Sequence, residues 1–341
     1  MRQLTCVGPG KIEWQEVPDA RLAGDCEAIV RPIAVARCDI DRLLIDGVIP
    51  QRGPFALGHE AVVEIVELGD AVRGLAPGQR AVISFQVSCG ECATCRRGHT
   101  ANCERYPALS DYGMQPLSGV EYGGLLSERV RVPHARAMLR PISERADALA
   151  LASASDNVID GYRAVAPHLR ERPGADVLIV QHGGQSIALY AAQAALALGA
   201  ARVDFASADP WLLAHAERLG ANPLPSDFGK RPRRWPIVVD YGTSPEGLDF
   251  ALRCTEPEGL CQSLSVYLAP LPLPLLRMYT HGVRFCIGRC NAAALLPEVL
   301  PLIESGRLRP EAVTTRVIDW DDAPVAFAEP ATKLVVRAAP R

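Results

Sequence analysis

No stretch of this 341-residue sequence approaches the roughly 20 consecutive apolar residues that a helix needs to cross a bilayer. Met1 to Gly10 also lack a long apolar run and a small-residue cleavage site, so a cytoplasmic location is expected and a membrane partner is not. Net charge is scarce as well. Lys and Arg number 36 against 39 Asp and Glu, leaving −3 at pH 7 and no global pull toward nucleic acid or an anionic surface. Internal repeats are missing, so the chain is not a repeat array. A small molecule is the partner these absences leave.

What is present is ordinary for a globular protein: 48% hydrophobic and 22% charged residues, with length enough for two domains that each hold a core. The 11 cysteines are an odd number, and four of them crowd between positions 89 and 103. Metal ligation accounts for that crowding better than disulfides do.

Two runs, Glu27 to Val35 and Ala61 to Leu68, are β-branched and apolar and are bounded by Gly, Pro and Asp, which predicts strands and a β-rich first half. After Ala148 the pattern changes. It predicts a helical stretch to His168, a buried strand at Val177 to Val180, a glycine-containing turn and a helix from about Ser186 to Leu198. A strand at Ala201 to Ala206, a helix at Pro210 to Leu219 and a strand at Ile237 to Asp240 continue the alternation of a doubly wound parallel sheet. The Pro-rich run Leu268 to Leu275 reads as a surface loop, and the basic residues Lys230, Arg231, Arg233 and Arg234 as a solvated loop before the Ile237 strand.

Cys89, Cys92 and Cys95 are each separated by two residues, and Cys103 follows seven residues later, with Gly90, Gly98 and Asn102 between. Such a loop can wrap four thiolates around one ion. A closed shell of four cysteines is the structural zinc arrangement, leaving no open position for substrate.

Several segments together resemble the zinc-dependent medium-chain dehydrogenase/reductase superfamily. They are Cys38-Asp39-Ile40-Asp41, Gly58-His59-Glu60, the cysteine lobe, Asp156 through Tyr162 and the turn at Gly183. The resemblance runs the length of the chain and is greatest to the bacterial branch of secondary-alcohol, threonine and formaldehyde dehydrogenases. It implies an α/β protein in which a GroES-like, β-rich catalytic domain (1–152 and 288–341) carries an inserted Rossmann domain (153–287). It also implies a catalytic zinc held by Cys38, His59 and Asp156, with Glu60 adjacent or exchanging, and a homodimer or homotetramer. Thiolate, imidazole and carboxylate are all zinc ligands, and three from the protein leave a fourth position open. Taken without the resemblance, Asp156 reads as a helix N-cap or a first-turn carboxylate.

The activity so implied is hydride transfer between an alcohol, or its carbonyl counterpart, and NAD or NADP, with zinc as Lewis acid. Relatives commonly carry Ser or Thr two positions after the first cysteine as a proton relay. Here that position is Ile40, which cannot relay, and Asp41, Asp39, Glu60 or a water chain are the replacements open. Asp41 can instead serve structurally, holding His59.

Gln181-His182-Gly183-Gly184-Gln185-Ser186-Ile187 stands where a dinucleotide fingerprint should lie. Gln181 replaces the tight-turn glycine, Gly183 remains, and the close-packing glycine is Ser186 or Ala188 depending on register. The ribose-binding acid at the end of the second strand is replaced by Ser207, which favours NADP; Asp204 lies too early and Asp209 reads as the next helix's cap. The stretches Tyr241-Gly242-Thr243 and Ser265-Val266-Tyr267 resemble segments that line the nicotinamide side. The same damaged turn leaves a redox-neutral zinc lyase, isomerase or cyclase, or a non-catalytic zinc protein, as the competing readings.

Overall fold

The computed structural model describes residues 1–230 and 233–338. Its internal contacts divide the chain into two compact units. One holds Met1–Ile159, Cys290–Ser305 and the chain from Arg309 onward; the other holds Asp160–Arg289 with Gly306–Leu308. The first boundary falls at 159, against 152 from the sequence. Ser153 to Val158 pack against the strand Glu60–Leu68 and the helix Ala292–Glu304, both within the first unit.

In the first unit, Ala28–Arg37 and Glu60–Leu68 are nearly unbroken Val/Ile/Ala-rich runs because both faces of their sheet are largely buried. Its order is Arg316–Asp319, Leu334–Arg337, Ala28–Arg37, Glu60–Leu68, Arg80–Ile83 and Leu139–Pro141, with Val130–Val132 paired to Ala28–Arg37. A separate three-stranded sheet runs Lys11–Glu16, Arg2–Gly8, Phe55–Ala56. Register does the positioning. Ala36 pairs with Glu60 and Leu334 with Arg37, so Cys38, His59 and Lys333 fall at neighbouring strand ends.

The second unit is a six-stranded, wholly parallel sheet in the order Asn222–Pro225, Val203–Ser207, Val177–His182, Trp235–Gly242, Thr255–Ser263, Arg284–Ile287. Numbered along the chain this is 3-2-1-4-5-6, the doubly wound Rossmann order, and the strand order reverses between Val177–His182 and Trp235–Gly242. The apolar run Leu178, Val180, Val238, Phe250 and Cys261 forms its core. The Pro-rich run is irregular until the helix Leu275–His281 begins.

Two sequence expectations change. The helical stretch from Ala148 to His168 is not continuous: a short helix Ala148–Leu151 gives way to a π-helical turn Ala154–Val158, then Ile159–Arg163 and Ala166–Glu171. Ser, Asp and Asn in that turn are all buried, and the widened turn swings their side chains toward neighbours inside the unit. The basic cluster is not simply solvated. Arg233 pairs with Asp176 and Asp204 and lies 4.4 Å over the Trp235 ring, and Arg234 meets His281 at 3.1 Å; Arg231 lies outside the described residues. Among the described residues no helix is long and apolar enough to cross a membrane.

Candidate active site

Cys38 caps the helix Asp39–Ile45, one residue beyond the strand Ala28–Arg37. His59 follows Gly58, whose φ of +88° turns the chain into the strand Glu60–Leu68; a Cβ on Gly58 would also lie 2.9 Å from the Leu126 amide. Asp156 comes from the π-helical turn, where it is not a helix cap. One donor atom each from Cys38, His59, Glu60 and Asp156 lies within 4.8 Å of the other three, and all four residues are buried.

The polar contacts give each group a direction. Asp41 Oδ2 accepts from the Cys38 amide at 2.8 Å, while its Oδ1 stands 3.4 Å from His59 Nδ1. That turns His59 Nε2 inward, 3.2 Å from Asp156 Oδ2. A carboxylate behind the imidazole is the arrangement that fixes a metal-binding histidine. Asp41 Oδ1 and His59 Nδ1 have no hydrogen-bond partner of good geometry despite full burial. A thiol, an imidazole nitrogen and a carboxylate converging in a buried site fit a zinc ion.

Burial and neighbouring charges move the titratable groups of the cluster. Burial pushes the Cys38 thiol up. Burial alone would lower His59, but the charge of Asp41 and the hydrogen bond to Asp156 outweigh it and hold the imidazole well above its usual value. Burial would raise Asp156, yet the hydrogen bond and charge of His59 keep it low. Glu60 is pushed up to about 7 by burial, with Lys333 opposing.

Two residues of this cluster escaped the sequence reading. Lys333, fully buried, donates to Glu60 Oε1 at 2.6 Å and to Asn157 Oδ1. Asn157 donates through Nδ2 to Cys38 Sγ and to Asp156 Oδ2, both at 3.0 Å, and through its amide to Glu60 Oε2 at 3.2 Å. The available signal was a lysine set directly before the apolar run Leu334-Val335-Val336 in a chain with three lysines.

The Cys89, Cys92, Cys95 and Cys103 sulfurs also lie within 4.8 Å of one another, and no cysteine of the chain is in a disulfide. Backbone amides aim at them: Cys92 and Glu91 donate to Cys89 Sγ, Cys95 to Cys92 Sγ and Cys89 to Cys103 Sγ, at 3.3 to 3.4 Å. Amides pointing at sulfur favour the thiolate, and hydrogen bonding of this kind, led by the Cys95 amide, lowers Cys92 to about 6. The lobe fits a closed structural zinc.

The glycine turn lies wholly in the second unit. Gln181, next to last in the strand Val177–His182, has no positive φ, since among described residues only Leu109, Phe228 and Glu258 are non-glycines in that region. A non-glycine residue there carries no backbone strain. Its amide group donates to the carbonyls of Gly183 and Gly184 at 3.2 and 3.0 Å and accepts from Ser207 Oγ at 2.6 Å. Gly183 and Gly184 are needed for packing, because a Cβ on them would meet Gly242 Cα at 2.8 Å and the Tyr241 hydroxyl at 2.4 Å. The His182 imidazole turns inward, 2.7 Å from Asp240 and 3.1 Å from Ser244 Oγ, so any part His182 plays toward a ligand falls to its backbone. Asp240 also accepts from Ser263 and Tyr267, which commits those segments to one buried knot. Ser186 and Ile187 are buried in the first turn of the helix Ser186–Ala197, whereas Gly183 is exposed and Gly184 and Gln185 half-buried. A glycine turn feeding a 12-residue helix at the switch point fits a dinucleotide pyrophosphate. Asp209 caps the next helix, as its position suggested, by accepting from Trp211 at 2.8 Å; Asp204 is held by Arg202, Arg233 and Trp235.

Comparison with known proteins agrees with this geometry. Residues 24–142 match the alcohol dehydrogenase GroES-like domain family. A medium-chain reductase/dehydrogenase of Acremonium sp. is 31% identical over 231 residues, covering 66% of this chain and 75% of that protein. A protein of Mycobacterium tuberculosis named as a zinc-binding alcohol dehydrogenase is 28% identical over 335 residues, 96% of this chain and 85% of its own length. The solved alcohol dehydrogenase of Thermus sp. ATN1 superposes with a TM-score of 0.91 at 27% identity, covering 99% of this chain and 100% of that one. The chain belongs to the zinc-dependent medium-chain dehydrogenase/reductase superfamily.

Proposed function

We propose that this protein is a zinc-dependent oxidoreductase that transfers a hydride between an alcohol, or the corresponding carbonyl compound, and NAD or NADP. The convergence of Cys38, His59 and Asp156 within one buried cluster is the observation that carries the reading. Zinc bound there supplies a Lewis acid for the substrate oxygen, and the nicotinamide supplies or takes the hydride. Asp41 orients His59, and Lys333 offsets the charge of Glu60. Ile40 cannot carry the proton, and with Asp41 and Glu60 both fully buried and so engaged, the relay is assigned to solvent. A second zinc in the four-cysteine lobe holds the fold. Assembly as a homodimer or homotetramer and a cytoplasmic location belong to the same proposal, and sizing by light scattering checks the first.

Calorimetric titration of the zinc-loaded protein with NADH and NADPH tests the reading. Binding of at least one is expected, and failure of both at millimolar concentration would overturn it. Cys38→Ser should then abolish alcohol-dependent turnover while leaving that binding nearly intact.

A further inference from the structure

The side-chain amide of Asn157 bridges three groups, Lys333, Cys38 and Asp156, and its orientation is dictated by chemistry. The Lys333 ammonium is a donor without acceptor capacity, so the side-chain oxygen of Asn157 must face it. The NH₂ group is thereby forced onto Cys38 Sγ and Asp156 Oδ2, each at 3.0 Å. Lys333 cannot turn away easily, since it is fully buried and also bonded to Glu60. The π-helical turn makes the reach possible by carrying Asp156 and its neighbour Asn157 on consecutive positions.

We propose that Asn157, locked in one amide orientation by Lys333, is a positioning residue that sets the geometry of two zinc ligands and weakens the electron donation of the Cys38 thiolate to the metal. This rests on Cys38, His59 and Asp156 being the zinc ligands. A hydrogen bond to a thiolate draws charge from sulfur, so a metal held by it is the more electrophilic; the same bond limits the rotation of the ligand. Glu60, held from the other side by Lys333 and by the Asn157 amide, is kept in place by the same device.

Cobalt(II) reports on the sulfur directly. The accessible zinc is removed with dipicolinate and replaced by cobalt, and the sulfur-to-cobalt charge-transfer band is taken as the difference from Cys38→Ser, which cancels any contribution of the four-cysteine lobe. Asn157→Leu, close in size and without a donor, and Asn157→Ser, smaller and unable to reach, should both move that band to longer wavelength. Competition against the chelator should show cobalt bound about 10- to 100-fold more weakly, while one zinc per chain stays in the lobe. A band and affinity equal to the unmodified protein in either folded variant would overturn the role of Asn157. A spectrum unchanged by Cys38→Ser itself would instead overturn the ligand assignment, and with it this proposal.

Discussion

Ser207 Oγ donates to Gln181 Oε1 at 2.6 Å, joining the ends of two parallel strands at the corner where relatives of this fold place a ribose-binding acid. The pair is neutral, so nothing there repels a 2′-phosphate. NADPH is expected to bind at least as tightly as NADH. Ser207→Asp should reverse the order, shifting the ratio of dissociation constants by about tenfold or more, the equivalent of about 1.4 kcal/mol. Fluorescence titration with both reduced cofactors measures it, and an unchanged ratio would show that this corner does not read the ribose.

Metal uptake by the Cys38 cluster should release protons. Burial raises Cys38, and Asp41 with Asp156 hold His59 above its usual value, so both carry protons near neutral pH when no metal is bound. Both must lose them to ligate. Affinity should therefore rise with pH, with about two protons released per zinc near pH 7. Calorimetry of the apoprotein in buffers of differing ionisation enthalpy gives the number, and a release near zero would count against either the protonation states or the ligands.

Cys103→Ser should remove the lobe's zinc while leaving the Cys38 cluster able to load, so the metal content falls from two to one per chain. The melting temperature should drop by about 5–10 °C, since a missing ligand leaves three thiols crowded without an ion to hold them. Metal analysis paired with a thermal scan distinguishes this from general misfolding, in which both ions would be lost.

Asp204 predicts an acid-sensitive contribution to stability. Burial would raise its carboxyl, but hydrogen bonds from Arg202, Arg233 and Trp235 hold it below its ordinary value. A lowered folded value means that the contribution is present above the unfolded value, about 3.9, and is lost as pH falls through the folded one. Asp204→Asn should cost about 1–3 kcal/mol at neutral pH, toward the low end because the two arginines are about half exposed. The cost should shrink in urea melts as pH falls below the unfolded value and vanish once pH passes below the folded one.

The parts of this molecule that could be read from its sequence are those written over short distances. The cysteine lobe closes within 15 residues, and the parallel strands of the second unit declare themselves by apolar runs between glycine and proline. The helical stretch around Asp156 was misread because alanine-rich periodicity does not distinguish a regular helix from one widened by a π turn. Gln181 looked like damage to a turn. Only the positions of Ser207 and of the Gly183 and Gly184 carbonyls reveal that its side chain has partners on both sides. Lys333 carries a local mark, a rare lysine before an apolar run, but its partner Glu60 lies 273 residues earlier, and no short-range pattern joins the two.

That separation has a consequence for the order in which the protein becomes functional. As the chain leaves the ribosome, the four sulfurs of the lobe emerge almost together, and a zinc ion can be captured there early. The other cluster waits. Its cysteine and histidine emerge first, its aspartate about a hundred residues later, and the lysine that steadies Glu60 and Asn157 only after a further 176 residues have been made. The two ions therefore mark opposite ends of the protein's assembly in time: the first can guide folding, whereas the second can settle in its finished surroundings only when folding is nearly done.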